Sequence, residues 1–489
     1  MELRSTLIAV VVMLPALAAA QGAAPQPPTA LAAVSASRSR VELSWQGSAS
    51  DFIVERKPLG GMYATHGRAT ATTLADAKVD PFATYVYRVR SIRDTVTSAP
   101  SNEITVGPPP TGFSTIVAAT SKGDEDGFGK HPATTLDDNG DPAAAYNVLR
   151  AEGINAHLFF VSWDRARYRW NVPVRVDVSG EVDTSGDDRG ISLARDVSTG
   201  LFAVAYQKGR ADGRGVWLAT STDRGVTWKT EAVQPVDDDQ RSQSPSVGLA
   251  GGVVHLSYLH NNNGVRYRSR TGAAGAWTNA TAPVPSGFEQ ARTNAGLALD
   301  GAGQPAVFYW YNSKDGPRSV LAFWRPGQPA AVEAMDTTPG SDDAFASLAF
   351  AGTQPRFMVN LIREDNFEDH LWFTSSSDGR AWSAPIKMPL DVMDYWSWPV
   401  SLAIDSKGRA SAMVTITGGR GAALGRPKML RSDDLKKWVV WSPDTNKLLV
   451  SAPVVGQVMF AANDKQYVVF ANDDPNRKIP AGLNLWREP

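Results

Sequence analysis

Three arginines that precede predicted strands at similar distances are the first candidates for a binding site in this chain. Arg189, Arg241 and Arg292 lie four, six and five residues before apolar segments that we predict to be strands. If these segments are neighbours in the fold, the three guanidinium groups emerge at similar height. A planar guanidinium binds a carboxylate through two parallel hydrogen bonds, so the cluster predicts a site for an acidic ligand.

Carboxylates and aromatic rings occupy loops of the same kind. A sugar-binding site uses aromatic faces against C–H groups, and a retaining glycosidase needs two suitably placed side chains beside the scissile bond. The alternative is that these loop charges are solvated and pair among themselves. We expect the catalytic residues to be among Asp188, Asp394 and Tyr395, and the substrate contacts to be Arg189, Arg241, Arg292, Arg363, Trp396 and Trp310.

A repeated β unit must position these loops. An apolar strand followed by a Gly/Asp turn recurs after residue 111, with aligned starts at residues 134, 193, 247, 297, 348, 402 and 458. This spacing matches one four-stranded blade with its loops, so the sequence predicts a β-propeller, with seven blades favoured over six. The last unit is one strand short, and we expect residues 113–119 to fill that place and close the ring.

A turn with defined chemistry follows several third strands. In the segment Ser221 to Trp228, the side-chain oxygens of Ser221 and Asp223 can accept hydrogen bonds from nearby backbone N–H groups. Gly225 supplies a positive φ at little cost, and Trp228 anchors the next strand. A shorter version contains Ser376, Asp378 and Trp382, and a weaker one runs from Ser432 to Trp438.

This turn resembles the Asp-box, or BNR repeat, of the sialidase-like β-propellers, and the first copy matches it at every defined position. The resemblance implies a sialidase-like fold, with these boxes on outer turns away from the active face. Sialidases use an arginine triad, an aspartate acid/base and a tyrosine nucleophile, and an early Arg-Ile-Pro motif carries the first arginine. No such motif stands near the first repeat. The residues carried over are therefore structural: Ser221, Asp223, Gly225, Trp228, Ser376, Asp378 and Trp382.

The N-terminal part divides into three predicted segments. Residues 1–20 contain a short apolar run and a small-residue exit, which predicts a signal peptide and a secreted or periplasmic protein. Residues 21–28 form a linker. Residues 29–107 resemble a fibronectin type III domain, in which Trp45 would be the buried tryptophan and Tyr85 the tyrosine-corner residue. The propeller is expected over residues 111–489.

The composition limits the classes of partner that we expect the protein to bind. The formal net charge is −1, which argues against nucleic acid, and the absence of cysteine excludes disulfides. No segment after the signal is apolar enough to span a membrane, and no metal-ligand spacing or cofactor motif is present. The leading hypothesis is carbohydrate binding to an extracellular glycan or cell-surface glycoconjugate, with glycoside hydrolase activity of the exo-sialidase type as its extension. A non-catalytic propeller for adhesion or assembly with other surface proteins, and a polysaccharide lyase, are the alternatives.

Overall fold

The chain divides into two compact units, residues 1–108 and 109–489. A computed structural model describes residues 24–37, 40–58, 61–79, 85–106, 114–117, 125–128, 132–150, 155–165, 169–177, 182–183, 190–208, 215–235, 242–260, 264–290, 295–316, 318–336, 343–362, 369–390, 400–417, 424–441, 450–451, 456–462, 464–472 and 482–487. The predicted signal peptide lies outside these residues. Their secondary structure is β throughout, as predicted, and none of them forms a helix able to span a membrane.

The first unit contains two antiparallel sheets. Its strands are β1 (Thr29–Ser37), β2 (Arg40–Gln46), β3 (Asp51–Pro58), β4 (Ala64–Ala69), β5 (Thr73–Asp76), β6 (Tyr85–Arg93), β7 (Val96–Thr97) and β8 (Ile104–Val106). One sheet has the order β1-β2-β5, and the other has β4-β3-β6-β7 with β8 also on β6. Trp45 of the first sheet meets Phe52 of the second edge-on, with ring centroids 5.4 Å apart, so the two sheets share one core.

A buried carboxylate ties the second sheet to β5. The Asp76 side chain is fully buried and accepts hydrogen bonds from Tyr87 Oη at 2.7 Å and from Arg56 Nη1 at 2.7 Å. Burial alone would raise the pKa of Asp76, but the bonds from Tyr87, from the Lys78 N–H and from Arg56 hold that pKa below its usual value. Tyr87 thus makes the core hydrogen bond, whereas the ring of Tyr85 lies under the Arg56 guanidinium.

The second unit is a β-propeller. The strands described in this unit are assigned here to sheets numbered I to VII, and β16 links sheets I and II into one ladder. Sheet I contains β10 (Glu125–Phe128), β11 (Ala133–Leu136), β12 (Pro142–Arg150), β13 (Asn155–Asp164), β14 (Arg169–Trp170) and β15 (Val174–Arg175), followed by β16 (Val182–Asp183). Sheet II contains β17 (Ile191–Arg195), β18 (Phe202–Lys208), β19 (Gly215–Ser221) and β20 (Lys229–Pro235). Sheet III contains β21 (Ser242–Ala250), β22 (Val253–His260), β23 (Val265–Thr271) and β24 (Thr278–Thr281).

The remaining sheets follow the same plan. Sheet IV contains β25 (Phe288–Gln290), β26 (Gly296–Leu299), β27 (Pro305–Ser313), β28 (Ser319–Trp324) and β29 (Val332–Asp336). Sheet V contains β30 (Asp343–Ala351), β31 (Gln354–Ile362), β32 (Asp369–Ser375) and β33 (Ile386–Lys387). Sheet VI contains β34 (Ser401–Ile404), β35 (Ala410–Thr417), β36 (Leu424–Ser432), β37 (Val439–Trp441) and β38 (Val450–Ser451). Sheet VII contains β39 (Gly456–Phe460), β40 (Gln466–Asn472) and β41 (Gly482–Arg487), with β9 (Ser114–Val117) as its fourth strand.

The first strands of the sheets form a closed ring. The contacts run from β11 to β17, β21, β26, β30, β34 and β39, and from β39 back to β11. Closure comes from the N-terminal side of the unit, because β9 pairs antiparallel with β41, with Ile116 opposite Leu483. The segment predicted to close the ring therefore supplies its last strand. Closure covers the sheet edges that an open stack would leave exposed.

Hydrophobic layers fill the spaces between neighbouring sheets. Between sheets I and II, for example, Phe160 packs edge-on against Phe202 with ring centroids 5.3 Å apart. Similar layers join II to III, III to IV, IV to V and V to VI, and a larger one joins VI, VII and I. Because each sheet is covered on both faces, the second strands are apolar over consecutive residues rather than at alternate ones.

Candidate functional site

The first strands run side by side in one direction. The N–H of Val247 in β21 donates at 3.1 Å to Oγ of Ser192, near the start of β17. Beyond the end of both strands, the N–H of Gly252 donates at 2.5 Å to Oδ2 of Asp196, so the two strands run in the same direction. The same register recurs between β34 and β39, at Ser401 and again at Ser406. All first strands thus begin at one end of the propeller, called the entry end here, and the turns after them lie at the other, the turn end.

The predicted arginines precede three successive first strands. Arg189 lies two residues before β17, Arg241 one before β21 and Arg292 four before β26, and these strands are neighbours in the ring. Parallel neighbouring strands that start at one end bring the preceding segments to that end. The side chains themselves lie outside the described residues, as do those of Asp188, Arg363, Asp394, Tyr395 and Trp396.

Trp310 is the one predicted substrate contact that the structure describes. It lies on β27, is only 1% exposed, and packs between sheets IV and V with Phe308 and Phe357. Its ring therefore offers no face to a ligand in this structure, and its role here is packing. Its neighbours Tyr309 and Tyr311 are equally buried and face sheet III instead.

A tyrosine and a carboxylate meet in sheet IV. Tyr311 Oη donates to Glu333 Oε1 at 3.1 Å, and Glu333 also pairs with Arg318 at 2.7 Å. Burial, reinforced by the negative charge of Glu333, raises the pKa of Tyr311 well above its usual value. Tyr311 is thus a neutral hydrogen-bond donor near neutral pH, and a phenolate nucleophile is disfavoured at this position.

The first Ser–Asp–Trp corner, between β19 and β20, has the predicted hydrogen bonds. Ser221 Oγ accepts from the Gly225 N–H at 2.8 Å, and Asp223 Oδ1 accepts from the Thr227 N–H at 2.9 Å. Trp228 Nε1 donates to the Gly225 carbonyl at 3.0 Å. Hydrogen bonds from Thr227, and a further one from Ser221, lower the pKa of Asp223 to about 2. The hydrogen bonds of this corner are thus made within the turn itself, and they favour the ionised form of Asp223.

Two further corners repeat this arrangement. Ser376 Oγ accepts from the Gly379 N–H at 2.8 Å in sheet V, and Asp434 Oδ1 accepts from the Lys437 N–H at 2.7 Å in sheet VI. Each of the three corners joins a third strand to a fourth, which places it at the turn end. Their tryptophans, Trp228, Trp382 and Trp438, each contact a phenylalanine on the third strand of the preceding sheet: Phe160, Phe323 and Phe373. The corners therefore join sheets to one another and lie opposite the entry end.

The described residues include no group of three or more His, Cys, Asp or Glu side chains arranged to hold a metal ion.

Comparison with known proteins gives fold-level likeness only. No family model and no curated protein sequence matches the chain. Among solved structures, the GH93 α-L-arabinofuranosidase of Fusarium graminearum is similar at 12% identity, with 77% of this chain and 97% of that chain covered and a TM-score of 0.45. AofleA from Arthrobotrys oligospora is similar at 13% identity over 66% of this chain and 92% of that one, with a TM-score of 0.42. A K499G mutant of NanB sialidase from Streptococcus pneumoniae is similar at 9% identity over 95% and 93%, with a TM-score of 0.40. At these values the assignment of the fold stands on the chain's own closed ring of sheets.

Proposed function

We propose that this protein is exported to the periplasm or the extracellular space, where the entry end of its propeller recognises glycans that carry a carboxylate. The apolar run in residues 1–20 supports export, and the short charged and aromatic loops support carbohydrate binding.

One observation carries the proposal. Three neighbouring first strands run parallel from the entry end, and an arginine precedes each of them by four residues or fewer. Extended chain advances at most about 3.6 Å per residue, so the three arginines start within a short reach of one another. Converging guanidinium groups suit a carboxylate such as that of a sialic or uronic acid. Arg363, which directly follows β31, is a further candidate contact, as is Trp396 before β34.

Hydrolysis is the extended form of this proposal. Asp188 precedes β17 by three residues, and Asp394 and Tyr395 precede β34, so all three are candidates for a site at the entry end. A glycosidase requires two such groups roughly 5–10 Å apart on either side of the bond that breaks. A propeller that only binds would need the arginines and not these carboxylates. Asp188→Asn and Asp394→Asn therefore separate the two forms, since they would abolish turnover and leave binding in place.

The first unit is proposed to be a fibronectin type III-like module that spaces the propeller or adheres to a surface. Its three-stranded and five-stranded sheets and the buried Trp45 support this assignment. We also propose that the three Ser–Asp–Trp corners are Asp-boxes, and their side-chain hydrogen bonds support this assignment.

Calorimetric titration of the full chain with 3′-sialyllactose and with glucuronic-acid-terminated oligosaccharides tests the proposal. Arg241→Ala should weaken binding by about tenfold or more, because it removes charge-assisted hydrogen bonds to the carboxylate. Arg380→Ala is the matched control, since Arg380 is an exposed arginine in the corner of sheet V, at the turn end. If neither glycan binds the unmodified protein, the proposal is wrong and a scaffold for surface proteins is favoured. An unsaturated uronic product would instead identify a polysaccharide lyase.

A further inference from the structure

A polar cleft opens between sheets III and IV at the turn end. Its volume is about 610 Å³, which is within the usual range for small-molecule sites of roughly 300–1,000 Å³. Sheet III contributes side chains from β22, β23 and β24, and sheet IV contributes its two turns. The cleft therefore lies at the opposite end of the propeller from the starts of the first strands.

The wall formed by sheet IV is fixed by an ion pair. Asp300 Oδ2 pairs with Arg325 Nη2 at 2.9 Å, and Asp300 Oδ1 accepts from the Gln304 N–H at 2.9 Å. Arg325 also donates to the Gln304 carbonyl at 2.9 Å, and its guanidinium lies 5.1 Å from the centroid of the Phe350 ring. Both charges are thus neutralised within the wall, and their side chains are held in one position.

The wall formed by sheet III presents rings and hydroxyl groups. Tyr267 Oη and His255 Nδ1 are 2.6 Å apart, and the two rings lie 27° from parallel with their centroids 6.1 Å apart. Trp324 of sheet IV meets Tyr267 edge-on, with ring centroids 6.4 Å apart, and this contact restricts the tyrosine ring. Burial lowers the pKa of His255, so this wall also carries no charge at neutral pH.

Free side-chain amides complete the lining. Asn279, Gln304 and Gln328 are exposed, and within the described part of the chain their amide groups have no hydrogen-bond partner. An amide both donates and accepts, which suits a ligand hydroxyl, since a hydroxyl does the same. Carboxylates and phosphates are bound most strongly by a cation that is free to pair with them. Among the described residues, the cation that lines the cleft is Arg325, which is already paired.

We propose that this cleft binds a neutral saccharide unit, through the amides of Asn279 and Gln304 on either side and the ring pair of Tyr267 and His255 at its base. This site is distinct from the entry-end site and does not depend on it. A glycan chain that carries both neutral and acidic units could then be held at two places on one propeller.

Saturation-transfer-difference NMR on the full chain tests this proposal with neutral methyl glycosides as probes: those of glucose, galactose, mannose, xylose and N-acetylglucosamine. At least one probe should receive saturation from the unmodified protein. In an Asn279→Ala/Gln304→Ala variant its binding should be about tenfold weaker, because two hydrogen bonds of ordinary strength are lost. Both side chains are exposed and unbonded, so the thermal midpoint should stay unchanged and shows that the variant is folded.

Two control variants test whether the effect on probe binding is specific to the cleft. Asn139→Ala removes an exposed amide from the corresponding turn of sheet I and should leave probe binding unchanged. Arg241→Ala should also leave it unchanged, while weakening the acidic glycans if the entry-end proposal holds. The cleft proposal is overturned if no neutral probe binds, if the double variant binds as well as the unmodified protein, or if Arg241→Ala is the variant that abolishes neutral binding.

Discussion

Gly225 in the corner of sheet II lies directly against the ring of Phe160 in sheet I. A β-carbon on Gly225 would be 2.1 Å from Phe160 Cε1, and the backbone at Gly225 has a φ of 84°. Trp228 packs on the same ring, with centroids 5.2 Å apart. The corner is therefore a contact between sheets, and its glycine is required by the neighbouring sheet as well as by its own turn.

Gly225→Ala should lower the free energy of unfolding of the propeller by about 2–5 kcal/mol. The left-handed backbone costs an alanine about 1–2 kcal/mol, and overpacking against Phe160 adds about 1–3 kcal/mol. Chemical denaturation measures the loss. Gly200→Ala is the matched control, since Gly200 has a φ of 71° in a turn of the same sheet with nothing within 4 Å of its added β-carbon. Equal losses in the two variants would contradict a packing role for Gly225.

Serine side chains join the first strands of neighbouring sheets. The N–H of Leu402 donates to Ser347 Oγ at 3.0 Å, and Ser347 is buried. Ser347→Ala should cost about 1–3 kcal/mol of unfolding free energy, because it leaves a buried N–H without an acceptor. Ser347→Thr keeps the oxygen and should lose less. A loss in the alanine variant no greater than that in the threonine variant would mean that the hydrogen bond contributes little.

The serines recur visibly in the sequence, but the partners of their hydrogen bonds can be identified only once the ring of sheets is known. Serine directly precedes the apolar anchor at Ser192, Ser246, Ser347 and Ser401, a pattern that could have been recognised alongside the repeat. Sheet IV has Gly296 at this position because a β-carbon there would lie 2.5 Å from the Phe308 ring. Repeats and corners were predictable because their chemistry is local, whereas contacts between sheets depend on partners about fifty residues away.

Trp310 is a residue for which the prediction from the sequence was wrong. Trp310, in a run of three aromatic residues from Tyr309 to Tyr311 at the end of a second strand, is predicted from the sequence to contact the substrate. In the propeller, sheet IV is covered on both faces, so Trp310 faces sheet V while the two tyrosines face sheet III. Consecutive aromatic residues in a strand therefore indicate burial on both faces here. The arginines that precede the first strands of sheets II, III and IV lie outside the described residues, so their convergence stays a prediction.

The stability of the corners should depend on pH. The pKa of Asp223 is lowered from 3.8 to about 2 in the folded protein, so the folded state favours the ionised form. This contribution to stability is complete above about pH 4 and is lost as the pH falls towards 2. Between those values, the thermal midpoint of the unmodified protein should fall more steeply than that of Asp223→Asn, which cannot titrate. Parallel profiles for the two proteins would show that Asp223 does not contribute through its charge.

Asp76 should be the most sensitive polar residue of the first unit. Asp76→Ala leaves Tyr87 Oη without its partner in the core and removes the counter-ion of Arg56. We expect the free energy of unfolding to fall by about 3 kcal/mol. This value is at the lower end of the range for a broken buried ion pair, because Arg56 keeps some access to water. Hydrogen exchange of peptides that cover β6 should then become faster, while peptides from the propeller keep their protection. Tyr87→Phe is the milder comparison, since it removes a single hydroxyl, and should cost about 1 kcal/mol. An Asp76→Ala variant with unchanged β6 exchange would refute a structural role for the carboxylate.

Tyr311→Phe separates packing from catalysis in sheet IV. Because Tyr311 is buried and its pKa is raised by burial and by Glu333, its hydroxyl stays protonated and serves to bind Glu333. The variant should lose about 0.5–1.5 kcal/mol of unfolding free energy, the usual contribution of one hydrogen bond. Binding of acidic glycans, and any hydrolysis, should remain at the level of the unmodified protein. A nucleophilic tyrosine would behave in the opposite way, with turnover abolished and stability little changed. Loss of turnover in Tyr311→Phe with intact stability would therefore move the reactive centre from the entry-end loops to the Tyr311–Glu333 pair.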